Sequence, residues 1–175
     1  MKQSVALIGF MGSGKTTVGP LLADLLEVPF VDLDAVMVER AGMSVKEVFA
    51  AEGEEGWRRR EREVLAELSS GRPLVLGCGG GIILSEANRR ELMARFTIVY
   101  LLASTDTLAE RLISVPDRPL LDVPEPKKEI ERLYAERLPV YEAVADISVA
   151  TDARAPNEIA VEISDRLGDT EGGAS

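Results

Sequence analysis

The sequence predicts an α/β fold, a doubly wound three-layer α/β/α sandwich around a parallel sheet of five strands. Three observations carry that expectation. Short apolar runs rich in Val, Ile and Leu alternate with longer segments of helical period. The first and fourth of these runs are almost uniformly apolar, as strands buried on both faces of a parallel sheet must be. Between the first run and an amphipathic segment, Gly9–Thr16 reads G-x-x-x-x-G-K-[ST].

The elements follow in order. Ser4–Gly9 is the first strand, and Lys15–Leu26 is the helix that leaves the glycine-rich turn. Pro29–Asp32, Leu74–Leu76, Thr97–Leu101 and Ile147–Val149 supply the other strands. Helical spacing covers Ala35–Ala41, Val45–Ala51, Glu54–Ser69, Glu86–Ala94, Thr105–Ser114, Glu125–Val144 and Asn157–Leu167. Residues 33–72 hold helices and no strand, an insertion large enough to shape a substrate pocket. Residues 115–126 carry Pro116, Pro119, Pro124 and Pro126 and read as an irregular loop containing Arg118, a candidate lid. The expected organisation is one domain over 1–168 followed by a disordered tail over 169–175.

Composition removes several kinds of chemistry. The chain of 175 residues has 20 Lys+Arg against 30 Asp+Glu, a formal net charge of −10, and no histidine. Imidazole bases, His-based triads and His-ligated metals are therefore excluded. Cys78 is the only cysteine, so an intramolecular disulfide, a CxxC redox pair and a Cys-cluster zinc site are excluded too. Any general base must be a carboxylate, a Lys or a Tyr, and any metal must be hard and oxygen-ligated. An acidic balance without a basic tract argues against a nucleic-acid partner. The apolar run Val5–Met11 after Lys2 is too short for a secretory signal, and no stretch approaches the roughly 18 apolar residues of a membrane span. A cytoplasmic monomer is expected.

The glycine-rich turn is the most specific local signal. Glycines let the backbone wrap a phosphate so that successive N–H groups point at its oxygens, and the helix N-terminus adds partial positive charge. In that arrangement Lys15 bridges the β- and γ-phosphates and the Thr16 hydroxyl ligates Mg²⁺. Nucleotide and metal follow from the motif, but the reaction class does not.

Candidates for a second substrate lie further along. Asp32-Leu33-Asp34 closes the second strand, at the carboxyl edge where α/β sheets place their ligands. Neighbouring positions at a strand end point to different sides, so the two carboxylates can have different jobs, one serving the Mg²⁺ water shell and the other an acceptor hydroxyl. Asp34 also sits where an N-cap would for a helix starting at Ala35. In Glu54–Ser69, Trp57, Val64, Leu65 and Leu68 form an apolar stripe with Glu61 on it and Arg58 at its border, while Arg59, Arg60, Arg62 and Glu63 read as solvated. A buried Arg58–Glu61 pair costs desolvation; it serves either as a structural salt bridge or to aim a guanidinium at an anion. Gly79-Gly80-Gly81 follows the third strand and leaves the backbone bare, for a ligand or for a flexible turn. Cys78 reads as a small core residue. Arg118 and Arg137 are single arginines in the proline-rich loop and in ERLPVY.

Taken together, GFMGSGKTTVG, FVDLD, EEGWRRRE, GCGGG, DRPLL and ERLPVY stand in the order and at the spacing of the shikimate kinases, and the resemblance spans about residues 4–168. It implies a P-loop kinase fold with sheet order 2-3-1-4-5, a shikimate-binding helical insertion over 33–72 and a lid over 115–126. The implied activity is ATP- and Mg²⁺-dependent phosphorylation of the 3-hydroxyl of shikimate, on the route to chorismate and the aromatic amino acids. Asp34 would bind the acceptor hydroxyls and be the candidate base. Arg58 and Arg137 would hold the shikimate carboxylate, Gly79, Gly80 and Gly81 would line the same pocket, and Glu61 would steady Arg58. Gly12, Ser13, Gly14, Lys15, Thr16 and Thr17 would cradle the ATP phosphates, with Thr16 on Mg²⁺ and Asp32 behind it through water. Arg118 would reach the phosphates from the lid, and Arg111 and Arg154 would flank the adenine. Trp57 stands where the family more often has Phe and would still wall the pocket.

Two other readings share part of this pattern. A gluconate-type or nucleotide kinase keeps the same core, but a nucleotide acceptor calls for a base-recognition pocket rather than a carboxylate clamp. A non-catalytic ATP-binding switch keeps the phosphate loop and has no use for the acceptor arginines.

Overall fold

A computed structural model of the protein describes residues 4–113 and 123–172. Strands β1 (Val5–Ile8), β2 (Phe30–Asp32), β3 (Val75–Gly77), β4 (Thr97–Leu102) and β5 (Ile147–Ala150) form one parallel sheet in the order β2-β3-β1-β4-β5. The helices are α1 (Lys15–Leu26), α2 (Leu33–Ala41), α3 (Val45–Ser69), α4 (Glu86–Arg95), α5 (Thr105–Ile113), α6 (Pro126–Val144) and α7 (Pro156–Gly172), with a 3₁₀ turn at Ile82–Leu84.

The apolar character of β1 has its cause in the layers. Val5 and Leu7 face one side of the sheet and pack with α1 and α7 through Val18, Leu22, Ile159 and Ile163. Ala6 and Ile8 face the other side and pack with Val64 and Leu65 of α3, Leu92 of α4 and Tyr141 of α6. Neither side meets water, so alternation has no polar half to show. A smaller cluster of Phe10, Leu108, Leu112, Ile130 and Leu133 joins α5 and α6 to the start of the phosphate loop.

Two expectations change. Helix α2 begins at Leu33 rather than Ala35, because Asp32 and not Asp34 is its N-cap: Asp32 Oδ1 accepts from Ala35 N at 3.0 Å. The two helices expected on either side of Gly53 are present, joined within α3 by a kink at Gly53, whose φ of 67° and ψ of −173° are non-helical. Helix α7 continues to Gly172, through the first four residues of the tail expected from residue 169. A glycine at position 168 weakens a helix by only about 1 kcal/mol, and Leu167 just before it is buried against the α1 side of the sheet. Of the candidate lid over 115–126, residues 115–122, Arg118 among them, lie outside the described residues, and Pro126 is already the first residue of α6.

Candidate active site

Because the sheet is parallel, its strands all end at one edge, and the segments that leave them meet there. A cavity of about 390 Å³ opens at that edge. Its lining includes residues 11–17 of the phosphate loop after β1, Asp32 and Asp34 after β2, Gly79 and Gly80 after β3, and Thr151, Arg154, Pro156 and Ile159 after β5.

The phosphate loop is built as its sequence predicts. Gly14 takes the left-handed φ of 104° and is the N-cap of α1, with no side-chain cap on the helix end. The first N–H groups of α1 are therefore not satisfied by a capping side chain, the condition under which a helix N-terminus binds an anion. Lys15 Nζ donates to Gly9 O at 2.8 Å, to Phe10 O at 2.9 Å and to Ser13 Oγ at 3.3 Å, which holds the ammonium within the loop. Thr16 and Thr17 are exposed on the cavity wall. Arg111 ties the loop to the far side of the sheet, donating to Gly12 O at 3.0 Å and to Thr151 O at 3.2 Å. Arg154 donates to Ala150 O at 3.1 Å and pairs with Glu162 at 2.6 Å.

A metal would meet oxygen donors only. Thr16 and Asp32 line the same cavity, and no group of three or more His, Cys, Asp or Glu side chains that could hold an ion occurs among the described residues. That donor set suits Mg²⁺, which keeps several waters and takes most of its remaining ligands from substrate phosphates.

The acceptor end is shaped by glycines. A Cβ on Gly79 would lie 2.7 Å from Asp34 Oδ1, and one on Gly81 would lie 2.5 Å from Arg58 Nη2. Both side chains are thus pressed against bare backbone, and any larger residue would displace them. Arg58, 20% exposed, donates through Nη1 to both oxygens of Glu61, at 3.1 and 3.0 Å, while Nη2 lies 3.5 Å from Glu54. Glu61 is buried, and Asn88 of α4 donates to its Oε2 at 2.9 Å. Burial pushes the Glu61 carboxyl above the usual range; Arg58 opposes that rise, Asp34 adds to it, and Asn88 opposes it.

Arg137 comes from α6 and is 6% exposed. Its guanidinium stands 5.6 Å from the ring centre of Phe10, and its Nε is the one buried side-chain polar atom among the described residues with no hydrogen-bond partner. One turn further on, Tyr141 donates to Gly80 O at 2.5 Å, so α6 braces the triple-glycine wall directly. Burial holds the Tyr141 hydroxyl up, at about 12, and Arg137 beside it opposes the rise. Trp57 is buried and lies 5.5 Å from Phe49, ring centre to ring centre.

The structure thus brings Gly12, Ser13, Gly14, Lys15, Thr16, Thr17, Asp32, Asp34, Gly79, Gly80, Arg111 and Arg154 to one cavity. Arg58 and Gly81 adjoin each other next to it, Arg137 lies in α6 one turn before the tyrosine that bonds the glycine wall, and Trp57 packs on Phe49 without lining the cavity. Arg118 lies outside the described residues. Cys78 is a buried core residue, and burial pushes its thiol far above the usual range. Asn88 belongs to no motif read from the sequence and is marked only by its burial, while Tyr141 closes ERLPVY without having been singled out.

The chain is similar to shikimate kinases in sequence and in structure. A family model described as shikimate kinase matches residues 11–168. A shikimate kinase of Nitrosospira multiformis is 42% identical over 164 residues, 94% of this chain and 84% of that protein. One from Aromatoleum aromaticum is 48% identical over 145 residues, 83% of each chain. Among solved structures, the shikimate kinase of Acinetobacter baumannii in complex with shikimate superposes with a TM-score of 0.92 at 37% identity, covering 96% of this chain and 94% of that one.

Proposed function

The chain belongs to the shikimate kinase family, and on that premise we propose how its residues divide the work of moving the γ-phosphoryl group of ATP onto the 3-hydroxyl of shikimate. Membership makes it a phosphotransferase with an alcohol acceptor, serving aromatic amino acid biosynthesis. Asp34 orients the acceptor hydroxyl and takes its proton as the oxygen bonds to the γ-phosphorus and the bond to the bridging β–γ oxygen breaks. The loose transition state of phosphoryl transfer asks little base strength, so a carboxylate suffices where no histidine exists. Lys15 and the N–H groups of residues 12–17 hold the phosphates, and Arg118 adds a further cation to them. Thr16, and Asp32 through water, would hold Mg²⁺, which would supply neutralisation of the phosphate charge. Pro156 and Ile159, with Arg111 and Arg154 beside them, offer an apolar slot edged by guanidinium groups for the adenine.

Arg137 carries the acceptor reading. A buried guanidinium with an unsatisfied Nε costs desolvation that the chain itself does not offset. A carboxylate on the acceptor supplies the missing partner, and Arg58, presented by Glu61 beside Gly81, supplies the second arm of the clamp. Gly79–Gly81 wall the same pocket, and Trp57, packed on Phe49 in the core, supports α3 behind it. The working unit proposed here is a monomer, and the need for ATP supports a cytoplasmic location. No helix among the described residues is long and apolar enough to cross a membrane.

The test is ADP release in ATP and Mg²⁺ with shikimate, quinate, gluconate or AMP as separate acceptors. Turnover with shikimate is expected. Turnover with quinate or gluconate only would keep the clamp and replace the acceptor, turnover with AMP only would remove the carboxylate clamp, and silence with all four would remove the transfer chemistry.

A further inference from the structure

Arg58 is held in an unusual way for an Arg–carboxylate pair. The usual fork engages two guanidinium nitrogens with two oxygens, but here both oxygens of Glu61 converge on Nη1 alone. Nη2 lies over the glycine wall, where a Cβ on Gly81 would lie 2.5 Å from it, and its own carboxylate neighbour is only the exposed Glu54 at a long 3.5 Å. That geometry depends on the rotation of the Glu61 carboxylate, and the terminal torsion of a glutamate is broad and weakly determined by its own chain. One further group holds it: Nδ2 of Asn88, donating to Oε2 at 2.9 Å. Asn88 is itself 1% exposed, and it sits in the first turn of α4, whose N-cap Ser85 follows directly on the 3₁₀ turn that leaves Gly81. The hydrogen bond therefore joins the helix that carries Arg58 to the segment that carries the glycine wall.

We propose that Asn88 is a positioning residue for acceptor binding: its side-chain amide fixes the Glu61 carboxylate so that Arg58 is gripped through one nitrogen and presents the other to the acceptor's carboxylate. The inference rests on the acceptor reading given above. A polar side chain this deep would otherwise be a poor choice, since a leucine would fill the space between α3 and α4 without needing a partner. Asn88 also opposes the effect of burial on Glu61. The charged and titratable groups around Glu61 are Arg58 on its own helix, Asp34 on α2 and Cys78 after β3, with the neutral Asn88 facing it from α4. Without Asn88 the carboxyl takes up its proton at higher pH, and a protonated Glu61 loses its grip on Arg58.

The test is the kinetics of Asn88→Leu against the wild-type chain, with ATP, Mg²⁺ and shikimate, at a series of pH values over which the wild-type chain stays folded. Shikimate KM should rise about tenfold, the scale of one hydrogen bond to a charged group, with ATP KM unchanged, and the rise should steepen toward acid. In a Glu61→Gln background the same substitution should add no pH dependence. Should Asn88→Leu not fold, Asn88→Ala removes the donor with only a small void and carries the same expectation. An unchanged shikimate KM and pH profile in a folded variant, even one of lower Tm, would overturn the positioning role and reduce Asn88 to a core contact. Failure of the wild-type chain to phosphorylate shikimate would instead overturn the acceptor reading on which the inference stands.

Discussion

Asp32 caps α2 through Ala35 N, which leaves Asp34, two residues on, against the bare backbone of Gly79 rather than at its own helix end. The sequence admits either aspartate as the cap, and only the start of the helix, at Leu33, decides between them. Glu61 shows the opposite case, a charge placed where stability does not want it. Burial raises its carboxyl above the ordinary range, so the folded chain holds that proton to higher pH than the unfolded chain. Raising the pH through that interval removes stability, and lowering it restores it. Denaturant unfolding at several pH values should therefore show the wild-type chain gaining stability relative to Glu61→Gln as the pH falls through the interval. A fall in that signed difference would contradict a Glu61 whose proton affinity is set by burial. Arg58, Glu61 and Asp34 were legible because they fall at fixed places in short motifs. Asn88 was not, because an asparagine among charged helix residues reads as solvated, and nothing local reports that α3 covers it.

At the scale of elements, the bend in α3 does most to assemble the acceptor end. Residues eight apart are separated by about 12 Å along a straight helix. Across Gly53, however, Phe49 and Trp57 meet ring to ring at 5.5 Å, and Glu52 pairs with Arg60 at 2.5 Å and with Arg59 at 3.2 Å. The sequence pattern correctly broke the helical run at Gly53 but placed Arg59 and Arg60 on a solvated face, since helical spacing cannot anticipate contacts made by folding back. Gly53 has φ 67° and ψ −173°, a region that residues with a Cβ avoid, while a Cβ there would meet nothing within 4 Å. Gly53→Ala should thus carry a purely conformational cost of about 1–3 kcal/mol, seen as a drop in Tm of several degrees, and should raise shikimate KM through displacement of Trp57 and Arg58. A variant as stable as the wild type would mean that the bend is not held by this residue. Helix α7 outran its expected end because a glycine weakens a helix without ending it.

For the whole molecule, the parallel sheet turns sequence order into a working surface. A chain with net charge −10 places Lys15, Arg111 and Arg154 on one cavity, with Arg58 beside its glycine wall, so capture of anionic ligands rests on local cations against an unfavourable overall field. The strand order and the positions of the phosphate loop, the paired aspartates and the triple glycine were all legible, because alternating α and β segments leave few ways to wind a sheet and ligands gather at its carboxyl edge. The depth of Arg137 and its orphaned Nε were not, since they depend on how α6 crosses the end of β1. Asp34 lines the same cavity as the phosphate loop while lying against Gly79, so it is the residue at which the two ligands must meet. Steady-state turnover of Asp34→Asn, with ATP affinity measured alongside and shikimate binding followed through Trp57, the only tryptophan in the chain, tests this most directly. The account predicts that both ligands still bind while kcat falls by about 10²- to 10⁴-fold, the range of a positioned proton-transfer group; near-normal turnover would contradict it.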